Sequence, residues 1–195
     1  MRTSMYAIAA VWLAAMVMGC STTPKSAEGK EDLQGWAQRA IDRMTAADPD
    51  LRGVIDASHG YAVFPKVGKG GLIVGGGYGR GVVYEQGAMI GYADLTQASI
   101  GAQIGGQTFS ELLVFENKEA LDRFRQNKLE FSANASAVIL KKGAAKAARF
   151  ENGVAIFIEP RAGAMAEASV GGQKFTFVAD AGGGATTRSS ATTRP

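Results

Sequence analysis

The stretch GGLIVGGGYGRGVVYE, residues 70–85, places seven glycines in sixteen positions. Such a run has two physical readings. It can be a loop whose N–H groups surround a phosphate, or a strand with one face stripped of side chains. The phosphate reading needs more than glycine. A Walker loop ends in G-K-[ST], but Gly29-Lys30 and Gly68-Lys69 are followed by Glu31 and Gly70. A dinucleotide loop runs G-x-G-x-x-G between a strand and a helix. Counted from Gly75 and Gly77, its third glycine falls on Arg80; counted from Gly79 and Gly81, it falls on Tyr84. Val82-Val83-Tyr84 then continues with the composition of a strand.

Alternation points the other way. Gly75, Gly77, Gly79 and Gly81 share one parity, while Leu72, Val74, Tyr78, Val82 and Tyr84 share the other. A period of two marks a strand. Glycine weakens a strand unless something approaches its backbone closely. The spacing predicts a strand with one smooth face, onto which a helix, an aromatic ring or a second strand packs.

The rest of the chain frames this strand. Its 195 residues, 46% hydrophobic and 20% charged, fit one globular domain with attachments. A formal charge of +3 is small for a nucleic-acid protein. Arg2 and the fourteen apolar residues Met5 to Met18 form a signal-peptide pattern too short to span a bilayer comfortably. The pattern ends in Val17-Met18-Gly19-Cys20, which resembles a bacterial lipobox with Cys20 as its lipidation site. Cys20 is the only cysteine, so no disulfide within the chain is available. The lipobox resemblance implies three acyl chains and permanent anchoring. Ser21 after the cysteine implies the outer membrane, facing the periplasm. Residues 1–19 are expected to be the signal peptide, 20–30 a tether, 31–179 the folded domain and 180–195 a disordered tail.

Sliding the chain past itself by 66 residues reveals a repeat. Tyr84-Glu85-Gln86-Gly87 falls on Phe150-Glu151-Asn152-Gly153, and Gly105-Gly106-Gln107 on Gly171-Gly172-Gln173. The same offset lays Leu72-Ile73-Val74 on Val138-Ile139-Leu140 and Arg80 on Lys146. Each half reads as a short helix, near 51–58 or starting at the cap Asn117, followed by antiparallel strands. Asn152-Gly153 and Gly171-Gly172 are hairpin signals, with Gln86-Gly87 and Gly105-Gly106 as their counterparts. The fold expected is α+β and mainly antiparallel β, barrel- or sandwich-like, in two pseudo-repeated halves. An N-terminal amphipathic helix near 31–47 stands outside the repeat, with Leu33, Trp36, Ala37, Ala40, Ile41 and Met44 on one stripe. Its polar face carries Asp32, Arg39, Asp42 and Arg43, a mixture of signs. Such a helix can dock on the β-domain or lie on a membrane.

Catalytic patterns are sparse. His59 is the sole histidine, and Gln97-Ala98-Ser99-Ile100-Gly101 lacks the first glycine of a nucleophile elbow. No His/Cys metal spacing is present, and no metal or other cofactor is expected. Asp94, Glu111, Glu130, Glu159 and Glu167 could pair as carboxylates only if the fold brought two together. The chain reads as a non-enzyme. Among the basic residues, Lys66 and Lys69 flank a glycine-rich segment and Lys141 and Lys142 stand at another. Such lysines can meet lipid phosphates, or simply keep turns soluble and blunt sheet edges.

Gly60-Tyr61-Ala62-Val63-Phe64-Pro65-Lys66-Val67-Gly68-Lys69-Gly70-Gly71 and Gly75-Gly76-Gly77-Tyr78-Gly79-Arg80-Gly81-Val82 resemble the opening of a SYLF domain. Gly101-Ala102-Gln103-Ile104-Gly105-Gly106-Gln107 and Met165-Ala166-Glu167-Ala168-Ser169-Val170-Gly171-Gly172 resemble its middle and end. Eukaryotic members bind phosphoinositides, with an N-terminal amphipathic helix contributing, and some bind actin; bacterial members are mostly lipobox proteins described as lipid-binding. The resemblance implies lipid-binding residues at Lys66, Lys69 and Arg80, joined from the helix by Trp36, Arg39 and Arg43. A periplasmic address makes another anionic phospholipid the expected ligand. The alternative is a structural or protein-interaction module of the periplasm with no lipid ligand.

Overall fold

The computed structural model describes residues 26–71, 74–100, 105–129, 137–162 and 172–180. The signal-peptide run, Cys20, most of the tether, residues 181–195 of the tail and the motif residues 165–171 lie outside them. The elements run α1 (Ala27–Ala47), α2 (Asp50–Asp56), β1 (Gly60–Gly71), β2 (Val74–Glu85), β3 (Ala88–Ile100), β4 (Gly105–Phe115), α3 (Lys118–Arg125), β5 (Val138–Ile139), β6 (Val154–Ala162) and β7 (Gln173–Ala179). The strands form a seven-stranded sheet ordered β5-β6-β4-β1-β2-β3-β7. Neighbours are antiparallel except β5 and β6. This is the α+β, mainly antiparallel architecture expected from the sequence. Among the described residues no helix is long and apolar enough to cross a membrane.

The glycine run is the middle strand of β1-β2-β3, and its bare face turns inward. A Cβ on Gly81 would lie 2.6 Å from the Val63 carbonyl oxygen and 2.7 Å from the Phe64 ring. One on Gly79 would lie 2.8 Å from Val67 Cγ2. The anticipated aromatic ring is therefore Phe64, from the adjacent strand. With no side chains in the way, the sheet curls around this face. Strands β4 and β7 have three strands between them, about 19 Å in a flat sheet. Yet Gln173 Nε2 donates to Glu111 Oε2 at 2.9 Å, and the Phe64 and Phe175 ring centroids are 5.7 Å apart.

The curl makes two cores. Inside lie Phe64, Val67, Leu95, Phe109, Leu113, Phe115, Ile158 and Phe175. Helix α3 covers them, with the Phe124 ring 5.1 Å from Phe115 and 5.5 Å from Phe175. Asn117 caps α3 as its sequence predicts, its Oδ1 accepting from the Ala120 N–H at 3.0 Å. Outside, Leu33, Ala37, Ala40, Ile41 and Met44 of α1 and Leu51 and Ile55 of α2 pack on Val63, Val82, Tyr92, Leu112 and Val114. Helix α1 begins a turn before the expected start because Ser26 Oγ accepts from the Gly29 N–H at 3.1 Å.

The repeat survives in part. Gln86-Gly87 and Asn152-Gly153 adopt the same two-residue turn, with φ of 48° and 82° in one and 51° and 76° in the other. Strands β6 and β7 match β3 and β4 at the expected offset, and α3 matches α2. Gly105-Gly106, expected as a turn, is instead paired strand opposite Gly71 and Gly70. The counterpart of β2 is also different, containing a 3-10 turn at Ala145–Ala147. Asp48 gives the physical reason. Its buried carboxylate accepts from the N–H groups of Gly143 (3.1 Å), Ala145 (2.7 Å) and Asp50 (3.3 Å). Despite its burial, these bonds hold the acid below its usual range. The segment is tied to the α1–α2 junction and leaves the ladder.

A polar layer adjoins the inner rings. Lys69, Gly77, Gln97 and Gln173 stand in one cross-strand row, and Glu111 joins it through Gln173. Burial pushes the Glu111 carboxyl up to about 8; the hydrogen bond from Gln173 and the cation of Lys69 offset only part of this. Burial likewise draws Lys69 down against the pull of Glu111. Each group is thus driven toward its neutral form.

Two predictions follow from these interior contacts. Gly81→Ala is expected to cost about 1–3 kcal/mol in urea unfolding, whereas Gly76→Ala, whose Cβ would find nothing nearer than 3.9 Å, is expected to cost much less. Because the folded-state pKa of Glu111 lies above 4.5, its contribution is full below that pH and is lost as pH rises through about 8. Thermal unfolding followed from about pH 5 to about pH 8.5 is expected to shift downward, and Glu111→Gln to flatten that slope.

Candidate functional site

A groove of about 690 Å³ opens on the outer face between α1 and the β1–β2 pair. Arg39 and Arg43 reach it from α1, where a spacing of four places them on the same side. Trp36 and Leu33, one turn earlier, form its apolar lip; Trp36 is 47% exposed.

Lys66 enters because β1 is bulged. The register with both neighbouring strands shifts around Pro65, which has no N–H to contribute to a ladder. The bulge lets Phe64 and Val67 both join the inner core while Lys66, between them, is exposed. It also leaves the Pro65 carbonyl available to side chains. Ser110 Oγ donates to it at 3.0 Å and Arg161 Nη1 at 3.4 Å. Arg80 is the cross-strand partner of Lys66 on one side and of Asp94 on the other.

Five cations therefore line one groove: Arg39, Arg43, Lys66, Arg80 and Arg161. No carboxylate is among its described lining residues. The acids stand behind it. Arg43 Nη2 lies 3.3 Å from Glu159 Oε2 and donates to Ser110 Oγ at 3.2 Å. The Tyr78 hydroxyl donates to Asp94 Oδ1 at 3.0 Å. Burial and the adjoining carboxylate hold the Tyr78 proton well beyond the usual phenol range. Among the described residues, no group of three or more His, Cys, Asp or Glu side chains could hold a metal. The groove's chemistry is that of a receptor for anions: convergent cations, two of them cross-strand neighbours, beside an exposed aromatic ring.

Of the six positions implied by the family resemblance, Trp36, Arg39, Arg43, Lys66 and Arg80 line this groove. Lys69 does not. The bulge and the odd spacing turn it inward, where it is 9% exposed beside Glu111. Lys146, the repeat mate of Arg80, forms an ion pair with Asp50 at 3.0 Å, away from the groove. Arg161 was not legible as a site residue. It lies on β6, brought near Pro65 only by the pairing of β6 with β4.

Residues 96–183 match the family model described as "Ysc84: Las17-binding protein actin regulator". The chain is also similar to Beta cell expansion factor A of Aeromonas veronii, 28% identical over 154 residues. That match covers 78% of this chain and 59% of the relative, so the chain spans about three-fifths of that protein's length. Over residues 96–183 the chain is thus similar to the Ysc84 (SYLF) family, the family that its glycine motifs at 101–107 and 165–172 resemble.

Proposed function

We propose that this protein is a lipoprotein anchored through Cys20 whose groove binds anionic phospholipid, with no catalytic step. The observation that carries the reading is the convergence of five cations and the exposed ring of Trp36 on one groove. Each Lys or Arg near an anionic surface contributes about 1 kcal/mol. Trp is suited to the interface because its ring is apolar and its N–H polar. The lipobox pattern and Ser21 support an outer-membrane address facing the periplasm. There the anchor would hold the groove close to phospholipid headgroups.

A second reading takes the domain as a protein-interaction module. The family description names a protein partner, Las17. Strand β7 lies at one end of the sheet order and exposes Val178, which gives such a partner an edge to meet.

Vesicle flotation of the full chain carrying Cys20→Ser separates the readings. The apolar N-terminal run acts on neutral and anionic vesicles alike, so the ratio of their partition coefficients reports the groove. Phosphatidylglycerol vesicles are expected to bind more tightly than phosphatidylcholine vesicles, with the advantage shrinking as salt rises. Lys66→Glu or Arg39→Glu is expected to cut the ratio about fivefold or more. Equal partitioning onto both vesicles, insensitive to salt and to these reversals, would remove the lipid reading and leave the protein-interaction one.

A further inference from the structure

We propose that Glu159 is the groove's resident counter-anion, displaced from Arg43 by an incoming phosphate monoester. The inference rests on the anionic-lipid reading and deepens it to the charge class of the headgroup. In this structure Arg43 is held by groups of the protein itself. Its Nη2 faces Glu159 Oε2 and Ser110 Oγ, and its Nη1 donates to the Arg39 carbonyl at 3.1 Å. Ser110 and Glu159 are cross-strand partners on β4 and β6, so the sheet itself sets the acid beneath the arginine. Glu159 Oε2 is buried and accepts no hydrogen bond, and among the described residues Arg43 is the one cation at ion-pair distance from it. Among the described residues, Arg39, Lys66 and Arg161 have no carboxylate at ion-pair distance.

This arrangement has two consequences. The Glu159 carboxylate relieves part of the repulsion among the cations that converge there. The same carboxylate competes with any ligand for Arg43. A phosphate diester brings one charge and exchanges it for one already in place, so little is gained. A phosphate monoester, with a second ionisation near pH 6, brings close to two charges at neutral pH. The second charge favours the exchange. Glu159 thereby sets a threshold that a monoester headgroup passes more readily than a diester.

Flotation with the Cys20→Ser chain and with the same chain carrying Glu159→Gln tests this. The vesicles are phosphatidylcholine alone, or phosphatidylcholine with phosphatidic acid (monoester) or phosphatidylglycerol (diester) at matched surface charge. The unchanged groove is expected to favour phosphatidic acid about fivefold. Glu159→Gln, which keeps the shape of the side chain, is expected to tighten binding to phosphatidylglycerol severalfold and narrow that preference. An unaltered unfolding midpoint confirms that the variant is folded. Binding by Glu159→Gln that is equal to or weaker than that of the unchanged chain overturns the counter-anion role, while the preference of the unchanged chain for anionic vesicles still stands. Loss of any anionic preference in both proteins overturns the lipid reading itself. Release from phosphatidic acid vesicles by equimolar soluble glycerol phosphate overturns the membrane as the source of the phosphate.

Discussion

The contact of the Phe64 ring with the bare backbone of Gly81 is the constraint on which the other features rest. It removes a layer of side chains from the concave side of the sheet. Without that layer side chains of β4 and β7 meet across the interior, and the inner aromatic cluster closes. The same curl presents a convex outer face to α1. Glycine here serves packing between layers, a structural use of the backbone approach that phosphate loops employ for ligands.

The cationic groove is a by-product of two adjustments to that packing. Pro65 cannot donate to either ladder, and the resulting bulge restores the inward phase at Val67 while leaving Lys66 outward. The bulged carbonyl then gathers Ser110 and Arg161. Helix α1 supplies the other wall. Its apolar stripe is buried, so Arg39 and Arg43 at the stripe's margin are aimed over the sheet and Trp36 is left at the rim. Cations contributed by a helix and three strands meet at one place because each element is held by its own apolar face.

Much of this was legible in the sequence, for definite reasons. Alternation identified β2 and its smooth face, since a period of two survives any tertiary context. Asn117 and the two Xaa-Gly turns were readable because capping and positive φ are local demands. The odd spacing of Lys66 and Lys69 puts them on opposite faces of β1, but which of the two faces inward was not readable, because a bulge upstream sets the phase of both and leaves only Pro65 as its trace. The loss of the β2 counterpart was hidden as well. It depends on Asp48, a residue far away in sequence, capturing the N–H groups of Gly143 and Ala145. Arg161 joined the groove through strand order, which no local pattern encodes.

The most direct test of the account is the proximity of bare backbone and aromatic ring. Nuclear Overhauser measurements on the chain in solution are predicted to connect the Gly81 Hα protons to the Phe64 ring, and the Phe64 ring to Phe175. Helical chemical shifts within residues 75–81, with no contact between that segment and Phe64, would contradict it.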